Sequence, residues 1–171
     1  ASYELLGLNT NCMKHNQEIL DYINIHKPIV TILSMHSTSS LILPNTASSR
    51  ELYRKGILNS LTNLRQSKTN IVLVGAEPEY KTVATWLERI LGKKGQYSDI
   101  PFEDSLWWSD VSLANFYYIN TLDIFCPQNK CKNKEGSIWL FEDDHHLSKE
   151  GAELLVPELN KLVEEILRRN S

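Results

Sequence analysis

The sequence predicts an α/β fold in which helices cover both faces of a parallel sheet. Short runs of β-branched and aliphatic residues alternate with longer segments of helical periodicity. The composition, 42% hydrophobic and 23% charged, is that of a globular protein. The length of 171 residues suits one domain and is thin for two, and no repeat is visible. We therefore expect a single domain over residues 1–171.

Charge and hydropathy exclude two classes of function. The chain carries 18 Lys and Arg against 21 Asp and Glu, a formal net charge of −3. A protein that binds nucleic acid usually shows a basic excess or stripe, so we expect no nucleic-acid partner. No run of apolar residues is long enough to predict a membrane-spanning helix in this chain.

Two helices and two strands are predicted in the first half of the chain. The first helix covers Met13–His26 and ends before a Lys-Pro pair, because proline disfavours helical geometry in the preceding residue. The second covers Ala47–Gln66, with hydroxyl-bearing residues as caps. Each helix is followed by an aliphatic run typical of a buried strand, Ile29–Leu33 and Asn70–Val74.

The second half continues this alternation. A third helix is predicted over Tyr80–Leu91, followed by a long connection through Lys93–Leu113. The final segment, Ser148–Arg169, has an apolar stripe that Pro157 interrupts, so we expect a kink or a late helix start there. Two further strand candidates are Phe116–Ile119 and Ser137–Phe141.

The chain has three cysteines, an odd number. Cys126 and Cys131 flank a short polar loop, and we predict that they form a disulfide; the alternative is two ordinary thiols. Cys12 is then left over. The sequence starts with Ala1 rather than Met, which suggests a processed or excised chain, and a partner for Cys12 in the removed part is one explanation.

Ionisable residues cluster directly after the last strand candidate. Parallel sheets bind ligands beyond the carboxyl ends of their strands, so we expect the site in the loop Glu142–Ser148. Asp143 and His146 lie three positions apart, a spacing that can place a carboxylate beside an imidazole. Such a carboxylate fixes the ring tautomer and stabilises the imidazolium. His146 is therefore a candidate general base with Asp143 as its partner.

Two other interpretations of this loop stay open. The aspartates can cap the turn and Ser148 the final helix, with the histidines as ordinary polar residues. Asp143, Asp144, His145 and His146 are also all possible metal ligands. However, adjacent histidines do not easily face one ion, and no further His or Cys set completes a shell. We therefore predict no metal and no cofactor.

The loop also resembles a known family. The string Asp143-Asp144-His145-His146-Leu147-Ser148, with Gly151-Ala152 behind it, resembles the D-x-x-H-L-S-x-x-G-A block of SGNH hydrolase-like domains. More narrowly, it is similar to the SGNH domain on the C-terminal side of membrane O-acyltransferases of the acyltransferase-3 family. Other segments similar to that family are Cys12 with Asn16 before Lys27-Pro28, and Asp123–Cys126 with Cys131.

The resemblance implies a three-layer α/β/α sandwich with a mostly parallel sheet, somewhat like flavodoxin. It implies esterase or O-acyltransferase chemistry, in which an acyl group, commonly acetyl, moves between a donor and a hydroxyl acceptor, often on a carbohydrate. It carries over Asp143 and His146 as the acid and base of a Ser-His-Asp triad. It also implies a parent membrane protein with an acyltransferase domain. This domain would then lie on the non-cytoplasmic side (extracellular, lumenal or periplasmic), where cysteines are oxidised.

The sequence departs from the family at the nucleophile. No Gly-Asp-Ser, the block that carries the serine, occurs in the 171 residues. The simplest explanation is N-terminal truncation, with the first strand and its serine upstream. The second is a catalytically inactive domain that binds a carbohydrate or another partner. The third is Ser37 as a replacement nucleophile, which we disfavour because its loop lacks the glycines of a nucleophile elbow.

Two further features each allow two interpretations. Gly75, after the second strand, is either a plain turn residue or a point where a backbone N–H approaches a ligand. Trp107 and Trp108 either stack on a sugar ring or anchor a long loop as a partly buried pair, and we favour the second.

Overall fold

The structure, a computed structural model, describes residues 10–34, 47–78, 108, 111–143 and 146–170. The predicted helix Tyr80–Leu91, most of the connection Lys93–Leu113, and Ser37 and Trp107 lie outside the described residues. In chain order the elements are α1 (Thr10–His26), β1 (Val30–Ser34), α2 (Ala47–Arg65), β2 (Asn70–Val74), β3 (Phe116–Ile119), α3 (Thr121–Phe125), β4 (Lys134–Glu135), β5 (Ile138–Trp139), α4 (Lys149–Glu153) and α5 (Val156–Asn170).

The first three strands form a parallel sheet in the order β1-β2-β3, as the alternation of helix and strand predicts. Val30 pairs with Asn70 at the start of the β1–β2 ladder, and Val74 pairs with Ile119 at the end of the β2–β3 ladder. All five residues of β2 are buried. In the described part of the chain β1 pairs only with β2, and Ile32 in its middle is 49% exposed.

Helices cover both faces of this sheet. Alternate residues of β2 point to opposite faces, so Ile71 and Leu73 share one core and Val72 and Val74 the other. On the first face the core includes Ile23 of α1, two leucines of α2, and Trp108. On the second face the buried side chain of α5 is Ile166, and the predicted stripe Leu155, Leu159 and Leu162 packs beside it. The architecture is therefore the predicted α/β/α sandwich.

The predicted apolar face of α1 is only partly buried. Ile23 belongs to the core and Leu20 packs against it, whereas Ile19 and Ile25 are exposed. Periodicity locates the helix correctly, but it does not say how wide a stripe the neighbouring elements cover.

The final helical segment is broken where Pro157 predicts a break. Helix α4 ends at Glu153, and α5 begins at Val156 with Pro157 in its first turn. Proline is tolerated there because the first N–H groups of a helix have no intrahelical acceptor. The predicted interruption at Pro157 is confirmed, and it takes the form of a break between two helices.

The fourth strand candidate differs from the prediction. Only Ile138 and Trp139 are extended, and they pair antiparallel with Lys134 and Glu135 in a separate two-stranded sheet. Gly136 has a φ of +58°, which allows the chain to reverse between β4 and β5. A parallel partner would need a crossover of about a dozen residues or more, whereas β4 and β5 are joined by a two-residue turn.

Candidate active site

The loop that carries the predicted pair is closed at its base by main-chain hydrogen bonds. Phe141 and Leu147 form an antiparallel bridge. The N–H of Glu142 donates to the carbonyl of His146 (2.8 Å), and the N–H of Ser148 donates to the carbonyl of Leu140 (3.0 Å). These bonds fix the separation of the chain before and after the loop. Asp144 and His145 lie outside the described residues.

Asp143 and His146 are in direct contact. The ring Nδ1 of His146 lies 2.6 Å from Oδ2 of Asp143, and the main-chain N–H of His146 donates to Oδ1 over 2.7 Å. One residue therefore holds both carboxylate oxygens. The side chain of His146 is 64% exposed and that of Asp143 is 49% exposed, so a substrate can approach the pair from solvent.

This geometry has a chemical consequence for the imidazole. A carboxylate at Nδ1 favours the tautomer that carries its proton there, so Nε2 is the nitrogen that accepts a further proton. The main-chain bond prevents the carboxylate from rotating away, which keeps Oδ2 on the ring. In this arrangement the imidazole can accept a proton while the carboxylate orients it, which is what general-base chemistry requires.

The structure confirms the capping interpretation of Ser148, which is compatible with the contact between Asp143 and His146. Ser148 is the N-cap of α4: its Oγ accepts a hydrogen bond from the N–H of Gly151 (3.0 Å). The same hydroxyl donates to the carbonyl of Trp139 (2.7 Å). Asp143 likewise caps the turn through the N–H of His146.

A small hydrophobic core lies under the loop. Its buried side chains include Phe125 and Phe141, whose rings meet edge to face with centroids 5.4 Å apart. Leu147, next to His146, packs against this core. Cys126 and Cys131 belong to it and are bonded to each other, which confirms the predicted disulfide. The disulfide therefore supports the layer on which the loop rests.

We expect Cys126 and Cys131 to resist alkylation in protein unfolded without reductant, because the disulfide leaves neither sulfur as a thiol. Mass spectrometry of the peptides after iodoacetamide treatment measures this. Protein reduced before alkylation is the control, in which both cysteines should react. Alkylation of both residues in unreduced protein secreted by its native route would contradict the disulfide.

Gly151 is required by a close approach of two backbones. A Cβ at this position would overlap the carbonyl oxygen of Leu140 and come within 2.9 Å of its carbonyl carbon. Helix α4 therefore packs directly on the main chain of Leu140, which follows β5 and leads into the loop. This contact gives the glycine of the D-x-x-H-L-S-x-x-G-A block a structural reason.

Gly75 and Trp108 serve the fold rather than a ligand. The N–H of Gly75 donates to the carbonyl of Ile119 (2.9 Å), which continues the β2–β3 ladder. A Cβ there would lie 2.5 Å from the hydroxyl oxygen of Tyr118. Trp108 is 2% exposed within the main core, so it cannot stack on a sugar ring.

A helix cap at the carboxyl end of β3 was not among the predicted features. Asn120 accepts from the N–H of Leu122 and donates to Oδ1 of Asp123, which starts α3. Thr121 donates to the carbonyl of Ala76 and so joins the ends of β2 and β3. The signal was present: an asparagine before a short helix, with an acidic residue three positions later, is a typical N-terminal pattern.

A groove of about 510 Å³ lies beside β3 and α5, and its lining includes neither Asp143 nor His146.

Among the described residues no three His, Cys, Asp or Glu side chains form a group that could hold a metal. No helix in this part of the chain is long and apolar enough to cross a membrane.

Comparison with known families decides the relationship that the loop suggests. The family model of the SGNH domain fused to AT3 domains matches residues 2–161. The chain belongs to this family. The SGNH domain is also similar in structure to the lipopolysaccharide acetyltransferase periplasmic domain of Salmonella ser. Paratyphi A, with a TM-score of 0.67 and 15% sequence identity. The match covers 89% of this chain but 63% of that domain, and it supports the fold. No curated protein sequence gives a significant match.

Proposed function

We propose that this SGNH domain is an esterase or O-acyltransferase domain that moves an acyl group, acetyl in the first instance, to or from a hydroxyl of a carbohydrate. His146 is the general base, Asp143 is its partner, and the nucleophilic serine comes from residues that precede Ala1 in the parent protein. The observation that carries the proposal is the pair of hydrogen bonds between Asp143 and His146. Family membership adds support from an independent source.

The chemistry proceeds in two steps. In the first, Nε2 of His146 accepts the serine proton while Oγ attacks the acyl carbonyl carbon. The bond to the leaving group then breaks, and His146 returns the proton to that group. In the second, His146 takes the proton of the acceptor hydroxyl, which attacks the acyl-serine, and Oγ leaves with the proton. Water in place of the acceptor gives hydrolysis. Asp143 stays ionised and stabilises the imidazolium in both steps.

Three observations support a place for this domain in a membrane protein, on the non-cytoplasmic side. The family is described as fused to AT3 domains, which supports an AT3 membrane acyltransferase domain as the partner. The structural relative is a periplasmic domain. The Cys126–Cys131 disulfide suits a compartment where thiols are oxidised.

The edge of the sheet at β1 supports an upstream origin of the serine. In the described residues β1 has a strand partner on one side only, and Ile32 is half-exposed. A further parallel strand beside β1 would flank Ile32 and pair with the backbone groups on the outer side of β1. The carboxyl end of such a strand would lie beside the carboxyl ends of the other strands, which is where ligands bind in parallel sheets.

A non-catalytic domain, which binds a carbohydrate or another partner, is the second candidate. The absence of Gly-Asp-Ser from the 171 residues favours it. The sequence immediately upstream of Ala1 separates the two candidates. A Gly-Asp-Ser block there favours the enzyme, and its absence favours the binding domain.

The direct test is reaction of the full-length protein with an organophosphonate probe, which labels activated serines. We expect labelling of one serine upstream of Ala1, detected by mass spectrometry, and its loss when the protein is denatured first. A known serine esterase serves as the positive control. Absence of labelling while this control reacts would refute the catalytic proposal.

A further inference from the structure

We infer that Ser148 is a positioning residue for His146, an inference that rests on the proposed function. Ser148 is 8% exposed and lies two positions after the histidine. Its main-chain N–H donates to the carbonyl of Leu140, its hydroxyl donates to the carbonyl of Trp139, and the same hydroxyl accepts from Gly151. One buried side chain therefore joins the strand before the loop to the helix after it.

These bonds control where the loop stands. The Leu140–Ser148 bond and the Phe141–Leu147 bridge form the base of the loop that carries Asp143 and His146. The hydroxyl of Ser148 holds this base against Trp139 on one side and against the start of α4 on the other. Ser148 thus acts on the imidazole through the backbone, whereas Asp143 acts on it directly.

The place at which the loop is anchored matters for the distance from His146 to the serine, whereas it matters little for the contact between Asp143 and His146. Both partners of the pair lie inside the loop, so they move together when its base moves. The serine comes from another part of the protein, and proton transfer requires Nε2 within about 2.6–3.2 Å of Oγ. A displacement of about 1 Å can reduce a catalytic rate by about a hundredfold.

The test compares variants that lose a buried hydroxyl at different places. Ser148→Ala removes the bonds to Trp139 and Gly151, and Ser148→Thr keeps the oxygen. Ser67→Ala is the matched control: its buried hydroxyl also donates to a carbonyl, that of Leu64, and accepts from a main-chain N–H, that of Thr69. Ser67 lies in the turn before β2, so it is at the amino ends of the strands, whereas the candidate site is expected at their carboxyl ends.

Acyl-transfer kinetics and the organophosphonate labelling rate are measured on the full-length protein. We expect Ser148→Ala to lower kcat and the labelling rate by about ten- to a hundredfold, with KM changed by less than about threefold. Ser148→Thr should restore most of the rate. Ser67→Ala should keep its rate within about twofold, although we expect its Tm to fall by about as much as that of Ser148→Ala, because each variant loses a buried hydroxyl.

A loss of kcat in Ser148→Ala that is no larger than in Ser67→Ala would overturn the inference. If Ser148→Ala does not fold, Ser148→Asp keeps the cap acceptor but cannot donate to Trp139, and full activity in that variant would equally overturn it. The variant His146→Ala distinguishes a failure of the proposed function from a failure of the positioning role. Unchanged labelling in His146→Ala refutes the proposed function, whereas its loss together with a fully active Ser148→Ala refutes the positioning role alone.

Discussion

His146→Ala is expected to lower kcat for acyl transfer by the full-length protein by about four to six powers of ten. The serine then has no group to accept its proton, and the acceptor hydroxyl has none in the second step. Only substrate binding and any oxyanion stabilisation remain to accelerate the reaction. KM for the acceptor should change far less, because the loss falls on the transition state rather than on binding. Steady-state kinetics with purified protein measures both quantities.

The matched control is His26→Ala, which removes an exposed histidine at the end of α1. His26 precedes β1 and so lies at the amino end of the sheet, and its ring contact is with Tyr22 of the same helix. Its removal should leave kcat within about twofold, since exposed sites away from special features tolerate substitution. Activity of His146→Ala within tenfold of the unaltered protein would show that another group is the base.

Gly151→Ala is expected to lower the free energy of unfolding by about 3 kcal/mol and to abolish most activity. The added methyl group meets main-chain atoms of Leu140, which cannot move aside as a flexible side chain could. Helix α4 must therefore shift away from Leu140. That shift breaks the bond from Ser148 to Leu140 and displaces His146. Urea unfolding followed by tryptophan fluorescence gives the stability change.

Gly56→Ala is the control for this variant, and its expected effect has the opposite sign. Gly56 lies inside α2, and nothing stands within 4 Å of a Cβ built there. Alanine in a helix interior is favoured over glycine by about 1 kcal/mol, so this variant should be more stable. Equal stability of the two variants would contradict the close backbone approach at Gly151.

Local sequence patterns were enough for the main sheet and most helices. The run Asn70–Val74 is aliphatic because β2 is buried on both faces, and the stripe on α5 repeats at the spacing of its contacts with the sheet. The β4–β5 hairpin was not predictable as such. Each of its strands has two residues, which is too short for periodicity to distinguish a hairpin from a strand of the sheet.

The sequence predicts the contact at the candidate site but not the bonds that hold it in place. The spacing of Asp143 and His146 indicates a contact between them, because three positions bring the two side chains together across one turn. It does not reveal that the second carboxylate oxygen binds the main chain of the same histidine. The roles of Ser148 and Gly151 depend on how closely α4 approaches Leu140, and packing decides that distance.

Among the residues that the structure describes, the groups that support the Asp143–His146 loop come from a single continuous stretch of chain. The core beneath the loop is drawn from Leu122 to Leu155, and the disulfide lies within the same stretch. Most contacts that hold the proposed acid–base pair therefore lie within this stretch, and Ile124 and Leu155 join it to the core of the sheet. We therefore expect a variant that loses the proposed nucleophile to keep the contact between His146 and Asp143.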